Sequence, residues 1–138
     1  MRMACGAVAV ALWGGLAAAQ DAEVVPVETA ELGENVVTIH LHPFLTPEEA
    51  TLLRLVATNA EALALFVPEP GGFAAMAASP VEGVVRNGVP VPSAIAVGQL
   101  PDAEAARTSA TEQCNAARER QRKRDPECVV VLEVMPKT

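Results

Sequence analysis

The sequence predicts an α+β fold, a mostly antiparallel sheet with two helices on one face, and three observations point to it. The run Val129-Val130-Val131-Leu132 with Val134 has the apolar continuity of a central strand. Two helical stretches, opened by Thr46-Pro47-Glu48-Glu49 and by Pro101-Asp102, alternate with strand-like segments. Asn87-Gly88, flanked by valines, marks a two-residue hairpin. The order strand-helix-strand, then strand-helix-strand, suggests a split βαβ (ferredoxin-like) arrangement.

The first nineteen residues read as a signal for export rather than as part of that fold. Arg2 is followed by an apolar run from Ala4 to Leu16 and by Ala17-Ala18-Ala19, the charge, apolar core and small-residue cleavage site of a secretory signal. The apolar run is too short to span a membrane stably. Residues 1–19 are therefore expected to be removed, leaving residues 20–138 as one secreted or periplasmic domain. Trp13 leaves with the signal, and the chain has no tyrosine, so Phe44, Phe66 and Phe73 are the aromatics that remain.

Each element follows from local pattern. Val24, Val25 and Val27 around Pro26 suit an edge strand, and Asn35 to Leu41 alternates as the first clear strand. Thr46 caps a helix, Pro47 fits its first position and Glu49 completes a capping box. That helix is expected to reach about Ala60 and to bury Leu53, Val56, Ala57 and Ala60. Leu52 and Leu55 widen the stripe, so cover on more than one side is expected. Ala62 to Val67 is either a buried strand or the end of the same helix, and its short length and Pro68 favour the strand. After the Pro68–Gly72 break come a strand at Phe73–Ala78, a turn at Ser79–Gly83, and a hairpin whose second arm Pro90 and Pro92 force to an edge or out of the sheet. Ala94 to Val97 gives one more short strand. The second helix starts at Asp102 and carries a stripe of Ala103, Ala106, Ala110, Cys114 and Ala117. With Cys5 inside the signal, Cys114 and Cys128 remain as an even pair, which in an oxidising compartment reads as a disulfide contributing about 3 kcal/mol.

The formal charge of −7 and the 3% aromatic content disfavour nucleic acid as a partner. Against that background Arg118, Arg120, Arg122, Lys123 and Arg124 form a concentrated basic run near the end of the second helix. Its structural explanation is the preference of cations for a helix C-terminus. Its functional reading is a contact for an anionic envelope component or an acidic protein. His40 and His42, two apart on a strand, share a face and are the weak candidates for a metal. A third or fourth ligand at a recognisable spacing is missing from the sequence. No serine has a nucleophile-elbow setting and no glycine-rich phosphate loop opens a helix, so no catalytic residues and no cofactor are expected.

Residues Phe73 to Pro80 with Glu82-Gly83, Ala94 to Val97, the alanine-rich helix reaching Cys114-Asn115-Ala116-Ala117-Arg118, and Cys128 to Val131 with Pro136 carry a likeness in order and spacing. Together they resemble small secreted bacterial proteins that bear the label 5-aminolevulinate synthase. The resemblance implies a disulfide-bearing α+β module. It does not imply the pyridoxal-phosphate synthase, whose fold and cofactor lysine a chain this short cannot supply. The expected role is a non-enzymatic exported binding or interaction protein. A small envelope enzyme or enzyme inhibitor is the first alternative, and a metal carrier using His40 and His42 the second.

Overall fold

The structure, a computed structural model, describes residues 24–67, 71–121 and 126–137. The expected signal, and Arg122, Lys123 and Arg124, lie outside the described residues.

Strands β1 (Val27–Leu32) and β2 (Asn35–His40) form an antiparallel hairpin in which Ala30 faces Val37. Gly33 opens its two-residue turn at φ 60°, a conformation that glycine adopts without a Cβ penalty. Helix α1 (Pro47–Thr58) starts as the sequence indicates. The Thr46 hydroxyl accepts from the Glu49 N–H at 3.1 Å, and the Thr46 N–H donates to Glu49 Oε1 at 3.0 Å.

Asn59 ends α1 and caps the next helix, its side chain accepting from the Ala62 N–H at 3.0 Å. The segment expected to be a strand at Ala62–Val67 is therefore mostly helix α2 (Ala60–Phe66). The physical reason is the spacing of its apolar residues: Leu63 and Val67 are buried while Leu65, midway between them, is 82% exposed, whereas a strand would put all three on one face. Ala60, expected in the core, is exposed at the first turn of α2.

Strands β3 (Phe73–Ala78), β6 (Ile95–Leu100) and β7 (Val129–Pro136) complete a five-stranded antiparallel sheet in the order β1-β2-β7-β3-β6. The valine-rich strand is thus central, as its composition predicts. Between β3 and β6, strands β4 (Val85–Arg86) and β5 (Val89–Pro90) make a small separate sheet across Asn87-Gly88. Both turn residues have positive φ, 55° and 76°, as a type I′ turn demands. Helix α3 (Ala103–Arg120) is capped by Asp102, which accepts from the Ala105 N–H at 2.7 Å. The α1–α2 crossover from β2 to β3 leaves β7 between its ends, and the α3 crossover from β6 to β7 leaves β3 between, so each half is a split βαβ unit.

The layering differs from the expected single helical face. Ala74, Met76 and Ala78 join Val37, Ile39, Leu132 and Val134 in a core with Leu53, Val56 and Leu63 of α1 and α2. Ala75 and Ala77 point the other way, against Ala106, Ala110 and Cys114 of α3. The sheet is therefore covered by α1 and α2 on one side and by α3 on the other. Burial of consecutive residues along β3 leaves no alternative, because side chains alternate between faces. The small side chains of α3 let it lie close to the alanines of β3. Cys114 and Cys128 are joined, with an S–S distance of 2.03 Å and Cα atoms 6.1 Å apart, tying α3 to the start of β7. Asn115 reinforces that join by accepting from the Cys128 N–H at 2.8 Å. Among the described residues no helix is long and apolar enough to cross a membrane.

Candidate functional site: grooves on both sides of helix α1

Of the basic run, Arg118 and Arg120 are described, and they are placed differently. Arg118 continues the buried stripe of α3 one residue past Ala117 and is only 2% exposed. Its Nη1 donates to Glu82 Oε1 at 2.6 Å, and Ser93 Oγ donates to the same oxygen at 3.1 Å. Arg118 thus joins α3 to the β3–β4 and β5–β6 connections from inside the protein. Arg120 is exposed in the last turn of α3, where a cation complements the helix C-terminus.

The two histidines do share a face. On the α3 side of the sheet, His40 Nε2 donates to Glu133 Oε2 at 2.7 Å and His42 Nε2 donates to the Val130 carbonyl at 2.8 Å. Arg107 of α3 reaches the other oxygen of Glu133 at 2.9 Å. The hydrogen bond from His40 holds the Glu133 carboxyl below the usual value; burial opposes this and the Arg107 bond adds to it. Phe44 stacks on His42 with ring centroids 5.5 Å apart.

On the opposite side of the sheet, Glu49 does more than favour a helix start. Its Oε2 accepts from the Val84 N–H at 2.5 Å and the Val85 N–H at 3.0 Å, while Oε1 completes the capping box. Burial pushes the carboxyl pKa up, but the backbone N–H groups of Thr46, Val85 and Val84 together leave it below the ordinary value. The buried carboxylate therefore pins the β4–β5 hairpin to α1. Gly83 makes this approach possible: it takes φ 73°, and a Cβ there would meet Glu49 Oε2 at 2.5 Å.

A groove lies on each side of α1, and the pinned hairpin walls the second of them. The first, of about 480 Å³, lies between α1 and the edge strand β1, with Ala30, Ile39, Leu55 and Ala57 among its lining. The second, of about 360 Å³, lies between α1, α2 and the hairpin, with Leu52, Leu55, Phe66, Val85 and Pro90. Thr51 and Leu55, one helical turn apart, border both and form the ridge between them. Leu55 is 50% exposed, and Leu65 and Val89 are also exposed large hydrophobics on α2 and the hairpin. Arg54 lines the first groove, and its guanidinium engages both oxygens of Glu28. Glu48 lines the second. Among the described residues, neither groove is bordered by His40, His42, Arg118 or Arg120.

No family model, curated protein or solved structure matches the chain. Sequence reasoning missed the grooves because the hairpin that walls the second is placed by a contact between Glu49 and Val84, 35 residues apart. The legible signal was the stripe of α1, whose Leu52 and Leu55 ask for more cover than the fold supplies.

Proposed function

We propose that the chain is an exported, non-enzymatic interaction protein that binds a partner segment across the ridge of α1. The observation that carries this reading is the pair of apolar grooves meeting at Leu55. A helix whose apolar stripe extends past its own core gains about 1.5–3 kcal/mol for each large side chain a partner covers. Charge selects the kind of partner. Arg54 is neutralised by Glu28, the other lining charge is the carboxylate of Glu48, and the chain carries −7 overall. An apolar segment with basic flanks is therefore attracted, whereas an acidic one is repelled. Export is supported by the signal-like N-terminus and by the disulfide. The non-enzymatic part rests on how the reactive groups are used: Glu49, Glu82 and Glu133 each hold one element to another.

Fluorescence anisotropy with a dye-labelled amphipathic peptide of leucine and lysine tests the reading, with a leucine and glutamate peptide as the control. Saturable binding of the basic peptide, weakened at least tenfold by Leu55→Asp and absent for the acidic peptide, is expected. Leu55 is half exposed, so the variant should fold. Equal binding by Leu55→Asp, or preference for the acidic peptide, would overturn the proposal.

A further inference from the structure

We propose that His40 and His42 form an open two-imidazole site for a borderline divalent transition ion, Cu²⁺ above all. A carbonyl oxygen only accepts, so the bond from His42 to Val130 puts the ring proton on His42 Nε2. An ionised carboxylate likewise only accepts, so the bond to Glu133 puts the proton of His40 on its Nε2. In the neutral imidazoles both Nδ1 atoms then carry the lone pair that a metal requires.

This arrangement is the one that metal-binding histidines use. The ring nitrogen away from the ion donates to a carboxylate or a backbone carbonyl, which fixes the tautomer, sets the ring orientation and raises the basicity of the ligating nitrogen. His40 has the carboxylate and His42 the carbonyl. Both supports come from β7, the central strand, through residues three apart, and Phe44 stacked on His42 fixes that ring further. The ring centroids are 6.2 Å apart. Two imidazoles on one ion, with metal–nitrogen bonds of about 2.1 Å, have centroids no more than about 6.4 Å apart. At the observed spacing the two rings, with both Nδ1 atoms turned to the ion, would flank it at a wide angle of about 150°, which the tetragonal geometry of Cu²⁺ accepts.

The protein ligands number two. Among the described residues no group of three or more His, Cys, Asp or Glu side chains is arranged to hold an ion. The remaining positions therefore belong to water or to a donor from another molecule, the pattern of an open site rather than a closed structural one. Nitrogen donors of this kind bind Cu²⁺ more tightly than Ni²⁺ or Zn²⁺. The site lies on the α3 side of the sheet, away from the grooves beside α1, so it stands or falls independently of the peptide-binding proposal.

The test is calorimetric titration of the tag-free protein with CuCl₂, NiCl₂ and ZnCl₂, joined to pulsed EPR of the copper form. One Cu²⁺ per chain, two imidazole couplings in the EPR signal, and weaker uptake of Ni²⁺ and Zn²⁺ are expected. His40→Gln and His42→Gln are the informative variants, because the glutamine amide still donates to Glu133 or to Val130 while the imidazole lone pair is gone. Each should bind Cu²⁺ at least tenfold more weakly with an unchanged thermal midpoint. Glu133→Gln, which keeps both ligands, should weaken binding about tenfold. No Cu²⁺ uptake by the wild-type protein, or wild-type affinity in either histidine variant, would overturn the proposal.

Discussion

At the scale of single residues, the decisive groups are carboxylates that sequence inspection assigns to solvent or to helix dipoles. Glu49 belongs to a capping box, and that much is visible in Thr46-Pro47-Glu48-Glu49. Its second partnership, with the N–H groups of Val84 and Val85, depends on the β4–β5 hairpin folding back onto α1. Because the folded protein holds this carboxyl below its ordinary value near 4.5, the sign of the pH effect is fixed. The unfolded chain takes up the proton first as pH falls. The stabilisation from Glu49 is present above that ordinary value and is lost as pH drops below it. Glu49→Gln places an amide N–H against a backbone N–H and should cost about 1.5–3 kcal/mol at neutral pH. Urea unfolding of both proteins between pH 7 and pH 3 should show the two stabilities converging toward the acid end. A constant gap across that range would contradict the role given to the charge.

Arg118 teaches the same lesson with the opposite sign. As one of five cations in a short run it reads as surface, yet it sits one residue past Ala117 on the buried stripe of α3 and meets Glu82. The stripe spacing that placed Ala106, Ala110, Cys114 and Ala117 correctly did not reveal which neighbour turns inward at the helix end. That is settled by Glu82 and Ser93, both distant in sequence. His40 and His42 were legible as a pair on one face, because alternation along a strand is local. Their supports on β7 were not, because strand order is not local.

At the scale of elements, helix starts, the Asn87-Gly88 hairpin and the central strand were readable because each is set by neighbours along the chain. The error at α2 has a specific cause. Leu63, Leu65 and Val67 alternate as a strand would and Pro68 closes the segment, but Asn59 caps a new helix there and turns Leu65 to solvent. The pairing of Cys114 with Cys128 joins α3 to the central strand. Replacing both by alanine removes a closed loop of 14 residues' separation and should cost about 3 kcal/mol, reported as a lower denaturation midpoint with little change in slope. An unchanged midpoint would show that packing of the alanine stripe alone suffices to hold α3.

At the scale of the whole molecule, the sequence pointed to α+β with a mostly antiparallel sheet, and the fold agrees. The single helical face did not follow from the same evidence. Phe73–Ala78 and Val129–Leu132 are apolar without alternation, and such strands need cover on both faces. Placing α1 with α2 on one side and α3 on the other meets that need, but leaves α1 to cover β1 and β2 with an apolar stripe wider than the surface beneath it. The surplus is the ridge at Thr51 and Leu55 with a groove on either side, and it is why the account centres on a partner bound there. The direct measurement is photo-crosslinking in the cell envelope, with a photoreactive residue in place of Thr51, or of Arg120 as the comparison. A discrete adduct from position 51 that Leu55→Asp removes, and none from position 120, is expected. Adducts from position 120 alone, or an adduct at 51 that survives Leu55→Asp, would contradict it.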